Sequence, residues 1–513
     1  NSRITSIGKN IQQHGYKRIS KWYQVPYSVS DISEQQLEQW QNAPALAELF
    51  LPNKNPYIVA KPELIADDNP ANTPLTPPEK ICQKDGLNVW FKHDTSFNTP
   101  KGYIYLSIDS PAVMESASTI AMTRLFIDLY SDDVIEEHYD AELAGIHYHL
   151  YAHQSGLTLQ LSGISTKQEQ LLPLLLNSLM QCDFCSEKFE LFKQQLLSHW
   201  HNAENSKSIS QLFANLSATM QPKSPSSHTL IDALQQVEFK QFKGFITKIF
   251  QHTAIDGLIH GNWSRQSADN IVDNIKAVFK GRLSQKNQVR IPCIDIHGQG
   301  TLTIPVELPK HDHAAVLYYP MPKKDLHTVA LTMLTNQLLS PIFFQEMRTE
   351  KQYGYLVGVG FIPINRYPGI AFYIQSPHTD SITLIAAMDN FIAKASDYIA
   401  ELPKEHWQHL QLGLASQLQE KDTNLRIKSQ RYWAAICNKE ASFTEKQKLI
   451  AIIESTSIND VAKFLQHHFN GPTAKDRLSL LSYENSEQLK SMDKNLKSNN
   501  NIMALLKKCQ IKY

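Results

Sequence analysis

The sequence is poor in features that would commit a chain to an unusual setting. It has only six cysteines in 513 residues (Cys82, Cys182, Cys185, Cys293, Cys437, Cys509), most of them far apart. That excludes a disulfide framework as the source of its stability. Cys182 and Cys185 form one C-x-x-C, with neither a second pair to complete a zinc site nor a thioredoxin-like strand before it, so they read as structural thiols. Net charge is missing too, since 50 basic residues balance 50 acidic ones. No chain-wide field draws the protein to nucleic acid or to an anionic membrane. No apolar run approaches the ~18 residues that a membrane-spanning helix needs. There is no glycine-rich phosphate loop, and Ser155-Gly156 and Ser162-Gly163 lack the strand–turn–helix frame of a serine hydrolase. The chain begins Asn1-Ser2-Arg3, without an initiator methionine or a signal peptide. That reads as a processed chain or a fragment and leaves the compartment open.

What is present is an ordinary globular composition, 42% hydrophobic and 19% charged, over a length that asks for two cores rather than one. Residues 1–50 are polar, with aromatic anchors at Trp22, Tyr23, Tyr27 and Trp40, and read as an arm. Pro62, Pro70, Pro74, Pro77 and Pro78 mark an extended stretch after it, because proline blocks helix at and before itself. Strand patterns follow at Leu87–Phe91 and Tyr103–Ile108, then helices over Ala112–Tyr130 and Val134–Leu143. Two strands hinged at Gly156, four helical patterns and the strand Gly257–His260 complete the unit. After about Arg290 the same order returns, from the strand Thr301–Val306 to the strand Arg477–Ser482. Gly145 and Gly354 stand 209 residues apart, and Gly156 and Gly369 stand 213 apart. The expected fold class is therefore α+β, with two domains of one plan at 51–281 and 282–513, each a mixed sheet covered on one face by helices.

The sharpest segment is Arg348-Thr-Glu-Lys-Gln-Tyr-Gly354-Tyr355, with Ile374-Gln375-Ser376 beyond it. It resembles the Arg-Thr-x-x-Gln-x-Gly-Tyr stretch and the later Ile-Gln-Ser of the pitrilysin and insulin-degrading enzyme family of zinc metallopeptidases. Lys21-Trp22-Tyr23 and Tyr27 resemble that family's linker between its halves, and Trp40-Gln41-Asn42-Ala43 and Leu51-Pro52-x-Lys54-Asn55 the segment after it. Glu142-Leu143-Ala144-Gly145 with Tyr148, and His260-Gly261-Asn262, resemble its third domain. The likeness is collinear over nearly the whole chain.

The resemblance implies four domains of one plan, two per half, closing around a peptide chamber. This chain would be the C-terminal, non-catalytic half, its partners being the N-terminal catalytic half and peptide substrates, with no nucleic acid and no membrane. Zinc would be bound by the other half through an inverted H-x-x-E-H motif, and none by this chain. The motif supplies two imidazoles on one helical face and a glutamate for the metal-bound water. Neither H-x-x-E-H nor H-E-x-x-H occurs here. Only His149 and His153 stand four apart, and Ala152 sits where the glutamate would be. By motif match, Arg348 would bind a substrate carbonyl, and Tyr355 would be an auxiliary catalytic and substrate-binding group, donating its hydroxyl to the scissile carbonyl or oxyanion. A periplasmic location is favoured by the resemblance alone. The competing expectation is a catalytically dead binding or assembly subunit, like the partner subunits of processing peptidases.

Other constellations read as structural. His147, His149, Tyr151 and His153 alternate along one strand face, but no carboxylate or cysteine is fixed beside them. His406 and His409 offer two ligands on a solvated helix, which do not close a site. Glu136, Glu137 and Asp140 beside His138 read as a surface acidic run.

Overall fold

The computed structural model describes residues 4–8, 18–44, 53–67, 69, 71–203, 205–308, 312–400, 402–440, 442–470, 476–485, 506 and 509–513. Contacts divide the chain into two compact units, Asn1–Asn55 and Pro56–Tyr513. In the first, β1 (Arg18–Ile19) pairs antiparallel with β2 (Pro26–Tyr27), and α1 (Glu34–Gln41) follows. The Ser33 side chain starts α1 by accepting the Gln36 N–H. Leu51 and Pro52, which belong to the segment read as following the linker, lie outside the described residues.

The second unit is built on two sheets. The first contains β3 (Glu79–Lys84), β4 (Leu87–His93), β5 (Lys101–Asp109), β6 (His147–His153), β7 (Gly156–Ile164) and β8 (Ala254–Gly261), in the order β3-β4-β8-β5-β7-β6. A small pair, β9 (Cys293–Asp295) with β15 (Gln510–Lys512), brings back the C-terminal tail that reads in sequence as merely polar. The second sheet contains β10 (Thr301–Glu307), β11 (His313–Pro320), β12 (Leu356–Phe361), β13 (Gly369–Ser376) and β14 (Arg477–Tyr483), in the order β10-β14-β11-β13-β12. Setting β4, β8, β5, β7 and β6 against β10, β14, β11, β13 and β12 gives the same order strand for strand. The pairing senses agree as well: β4–β8 and β10–β14 are parallel, and the others are antiparallel. The edge strand β3 has no counterpart in the second sheet and is absent from the sequence reading.

Helices α2 (Ala117–Leu143), α3 (Ser165–Met180), α4 (Ser186–Ala203), α5 (Ser208–Met220), α6 (Ser227–Gln235), α7 (Phe239–Ile249) and α8 (Arg265–Val278) belong to the first repeat. Helices α9 (Leu326–Phe344), α10 (Ser381–Ala393), α11 (Ala395–Ala400), α12 (Lys404–Gln419), α13 (Leu425–Cys437), α14 (Glu445–Ser455) and α15 (Ile458–Leu465) belong to the second. The two helices expected over 112–143 run together as α2 and meet at a kink, which does not fall at Ser131-Asp132-Asp133. The bend falls instead at His138, whose φ of −118° and ψ of 26° leave the helical region. Likewise α9 runs on through Gln345–Glu350, where one π-helical stretch replaces the expected break. Helix α6 is missed by the sequence reading, and the helix expected over 382–400 divides into α10 and α11.

Each repeat covers one face of its own sheet with its own helices, as expected, but the other face is covered by a helix from its neighbour. The α5 stripe Ile209, Leu212, Leu216 and Met220 lies in one core with Leu302, Ile304, Val316 and Leu478 of the second sheet. The spacing puts these side chains on one helical face. Conversely, Tyr432, Trp433 and Ile436 of α13 pack on Trp90, Tyr105 and Leu258 of the first sheet. The Trp433 ring stacks on Tyr105 with centroids 5.2 Å apart and planes 15° from parallel. Polar contacts extend the junction: Lys428 of α13 donates to Ser96 Oγ at 2.6 Å and Pro74 O at 3.2 Å. The Ser429 hydroxyl meets Nδ1 of the wholly buried His260 at 2.7 Å. A pair of exchanged helices therefore locks the repeats together, and β8, covered on both faces, is buried along its full length.

Candidate functional site

Arg348 and Tyr355 flank a chain reversal at the start of β12. Asp325 caps the N-terminus of α9, accepting the Thr328 N–H at 3.0 Å. At its other end Pro341 interrupts the regular ladder, and the helix widens into the π stretch that carries Arg348. That stretch is tied down by the Glu346 carboxylate, which takes Lys351 Nζ and, at 2.8 Å, the Tyr398 hydroxyl. The Lys351 N–H closes the last wide turn on Glu346 O at 2.9 Å. Gln352 then turns left-handed, at a φ of 54°, and Gly354 passes the sheet edge so closely that a Cβ there would stand 2.1 Å from Gln375 O. Only glycine fits, which is the physical content of the Gly354 in the motif.

Both side chains are exposed, Tyr355 by 43%. The Arg348 guanidinium stacks over the Phe344 ring, 5.1 Å from its centroid, and Nη1 donates to the Tyr355 carbonyl oxygen at 2.8 Å. No carboxylate among the described residues pairs with it. The Tyr355 hydroxyl donates to Asp312 Oδ2 at 2.6 Å and accepts from Gln375 Nε2 at 2.6 Å. Gln375 Nε2 also donates to Asp312 Oδ2, at 3.0 Å. The Asp312 carboxylate, with a smaller contribution from burial, holds the Tyr355 phenol above its usual pKa. Phenolate beside carboxylate is disfavoured, so the group stays a proton donor.

The sequence reading found Gln375 only as part of a motif, and it did not find Asp312. Asp312 lies just before β11, and the register of β11, β13 and β12 brings it beside Gln375 and Tyr355. No spacing in the sequence announces that. Helix α5 of the first repeat fixes the back of the cluster. Its Ser208 hydroxyl donates to Asp312 O at 2.6 Å, and its Ile209 N–H donates to Gln375 Oε1 at 3.1 Å. The exchanged helix thus positions the groups that position Tyr355.

The remaining candidates are engaged elsewhere. His147 Nδ1 is bound to Glu142 Oε2 at 2.5 Å. His153 is held by Ser107 and Ser155 hydroxyls, each at 3.0 Å, and burial pushes its pKa down to about 4. Burial pushes the Cys182 thiol up to about 12, and Cys185 is exposed. His406 and His409 are exposed on α12. His138, which stands beside the acidic run Glu136, Glu137 and Asp140, is buried at the bend of α2. Among the described residues no three His, Cys, Asp or Glu side chains are grouped to hold a metal ion. The described residues of this chain therefore offer no set of ligands for zinc.

Two like-ordered sheets interlocked by exchanged helices make up one lobe of two repeats. The profile for the middle or third domain of peptidase M16 matches residues 1–233, and that for the C-terminal lobe domain 4 of PqqF-like PQQ synthases matches residues 334–433. The chain is 24% identical over 489 residues to the putative zinc protease mug138 of Schizosaccharomyces pombe, covering 93% of this chain and 49% of that protein. It is 24% identical over 480 residues to human insulin-degrading enzyme, covering 90% and 46%. The crystal structure of pitrilysin shares its fold, with a TM-score of 0.81 at 19% identity, over 98% of this chain and 53% of that one. The chain spans about half the length of these relatives. Together these matches support an M16-like metallopeptidase C-terminal half, resembling that of pitrilysin and insulin-degrading enzyme.

Proposed function

We propose that this chain is the substrate-holding, non-catalytic half of a zinc-dependent metalloendopeptidase that degrades peptides, with zinc bound by an N-terminal half carrying H-x-x-E-H. In this reading residues 1–50 are the arm between halves, and 51–281 and 282–513 are the third and fourth domains of the family plan. A periplasmic location is part of the proposal and rests on the resemblance. The supporting observation is the exposed Arg348–Tyr355 corner. It offers a guanidinium that pairs with no carboxylate among the described residues, and a phenol kept protonated. Arg348 stays charged at any working pH and would bind a substrate carbonyl. At rest the Tyr355 hydroxyl donates to Asp312, and it would transfer that hydrogen bond to the scissile carbonyl or oxyanion as substrate arrives. Zinc, held by the H-x-x-E-H residues of the other half, would supply the Lewis acidity for this chemistry.

The test mixes the chain with the separately expressed N-terminal half and follows a fluorogenic peptide with and without a chelator. The mixture should turn over, the chelator should stop it, and the isolated chain should be inactive. Tyr355→Phe should lower kcat by about 10²–10³-fold, the range for losing one oxyanion donor. Unchanged turnover with an intact fold sinks the role of the hydroxyl. A stoichiometric complex that never cleaves favours the binding-subunit reading instead.

A further inference from the structure

Among the described residues four strands end the two large sheets, and β12 is the one that carries none of the blocking features of the other three. Edge β3 carries Glu79, Lys80 and Lys84 and a register shift between Lys80 and Cys82. Edge β10 carries Pro305 and Glu307. Charges, proline and bulges are how proteins blunt a strand edge. Edge β6 is closed at its head, where Glu142 Oε1 accepts the Tyr148 N–H at 3.3 Å. Edge β12 reads Leu356-Val-Gly-Val-Gly-Phe361, with no charge, no proline and no register shift against β13. Val357 is the position that matches Tyr148 in the repeat, and Lys351 stands where Glu142 does, so the matching plug is missing.

The register says which groups are unpaired. Ile362 N–H bonds to Gly369 O at 2.8 Å, so by antiparallel alternation residues 356, 358, 360 and 362 bond to β13. The main-chain groups of Val357, Val359 and Phe361 point away from β13, and among the described residues no backbone hydrogen bond reaches them, while the Val357 and Val359 side chains lie in the second repeat's core. Tyr355 is next in this outward series, and its carbonyl is the one that Arg348 already holds. The guanidinium therefore stands at the head of the open edge, in line with its unused donors and acceptors. On the α5 side Gly360 presents no side chain, and a Cβ there would make ordinary contact with Ile362 at 3.6 Å without a clash.

We infer that β12 docks an extended peptide by main-chain pairing with Val357, Val359 and Phe361, with one end of the peptide reaching Arg348 and an apolar residue lying over Gly360. This rests on the peptide-holding role proposed above and says how the peptide is held. Charge favours a peptide over a second copy, because Arg348 lacks a carboxylate and β12 offers none, whereas a peptide brings carbonyls and acidic groups. Docking through the main chain would read little sequence, as suits a site that accepts many peptides.

The test substitution is Val359→Pro, which removes an outward N–H while leaving every bond to β13 in place. The probe is a fluorescein-labelled peptide of alternating valine and threonine with a glutamate at one end, measured by anisotropy against the 513-residue chain. Affinity should fall at least about tenfold in Val359→Pro with the circular dichroism unchanged. N-methylating alternate peptide amides should abolish binding in one register and spare it in the other. Equal affinity for the proline variant, or equal damage in both registers, overturns the inference. So does a dimer of the wild type that Val359→Pro dissolves, which would make the edge a self-association surface. If Val359→Pro binds normally while Tyr355→Phe still slows the reconstituted enzyme, only the strand docking fails. If neither has an effect, the peptide-holding role fails with it.

Discussion

Replacing Trp433 by alanine should loosen the two repeats from one another. The side chain is only 8% exposed and lies on the first sheet although it belongs to the second repeat. A buried tryptophan covers about 150–250 Å², and at ~25 cal/mol per Å² its transfer is worth about 4–6 kcal/mol. A compact unfolded chain and the retained Cβ reduce that figure, and measured Trp→Ala losses in cores run about 3–5 kcal/mol. The offset stack on Tyr105 contributes a further ~0.5–1.5 kcal/mol. The expected loss is thus about 4 kcal/mol. It falls on the junction, so it should appear as one unfolding transition becoming two. Urea unfolding, followed in parallel by tryptophan fluorescence and far-ultraviolet circular dichroism, reads this directly. A loss below about 1 kcal/mol, with the two probes still coincident, would refute the claim that α13 holds the first sheet.

Gly354→Ala would set a methyl against the Gln375 carbonyl and should cost about 1–3 kcal/mol, visible in a thermal melt. The same substitution should displace Tyr355 and reduce turnover of the reconstituted enzyme, whereas an unchanged melt would show that the reversal can relax. His153, held neutral by burial down to about pH 4, binds fewer protons folded than unfolded between about pH 6.5 and 4. Its contribution is therefore present above about pH 6.5 and lost as pH falls through that window. Relative to His153→Gln, the wild type should lose about 3 kcal/mol there, and parallel stability curves for the two proteins would rule this out.

The repeat was legible because glycine and helix period survive in a single sequence: Gly145 with Gly354 and Gly156 with Gly369 sit at corresponding turns. The corner was half legible. Arg348, Gly354 and Tyr355 are close in sequence and come as one motif. Asp312 is joined to them only by strand register, which hydrophobic alternation leaves open by whole strands. The exchange of α5 and α13 was not legible at all. Their apolar stripes state that each needs an apolar surface, and nothing local states whose.

Helix exchange also sets a timetable for synthesis. The last strand of the first sheet ends at Gly261, and its covering helix begins only at Leu425. At about 5–20 residues per second the ribosome takes on the order of ten to thirty seconds to cross that gap. For that interval Trp90, Tyr105 and Leu258 form a sticky plate on the nascent chain, while α5 waits for strands not yet made. Early release of the chain would leave a species with two complementary wounds, prone to pairing with another like itself.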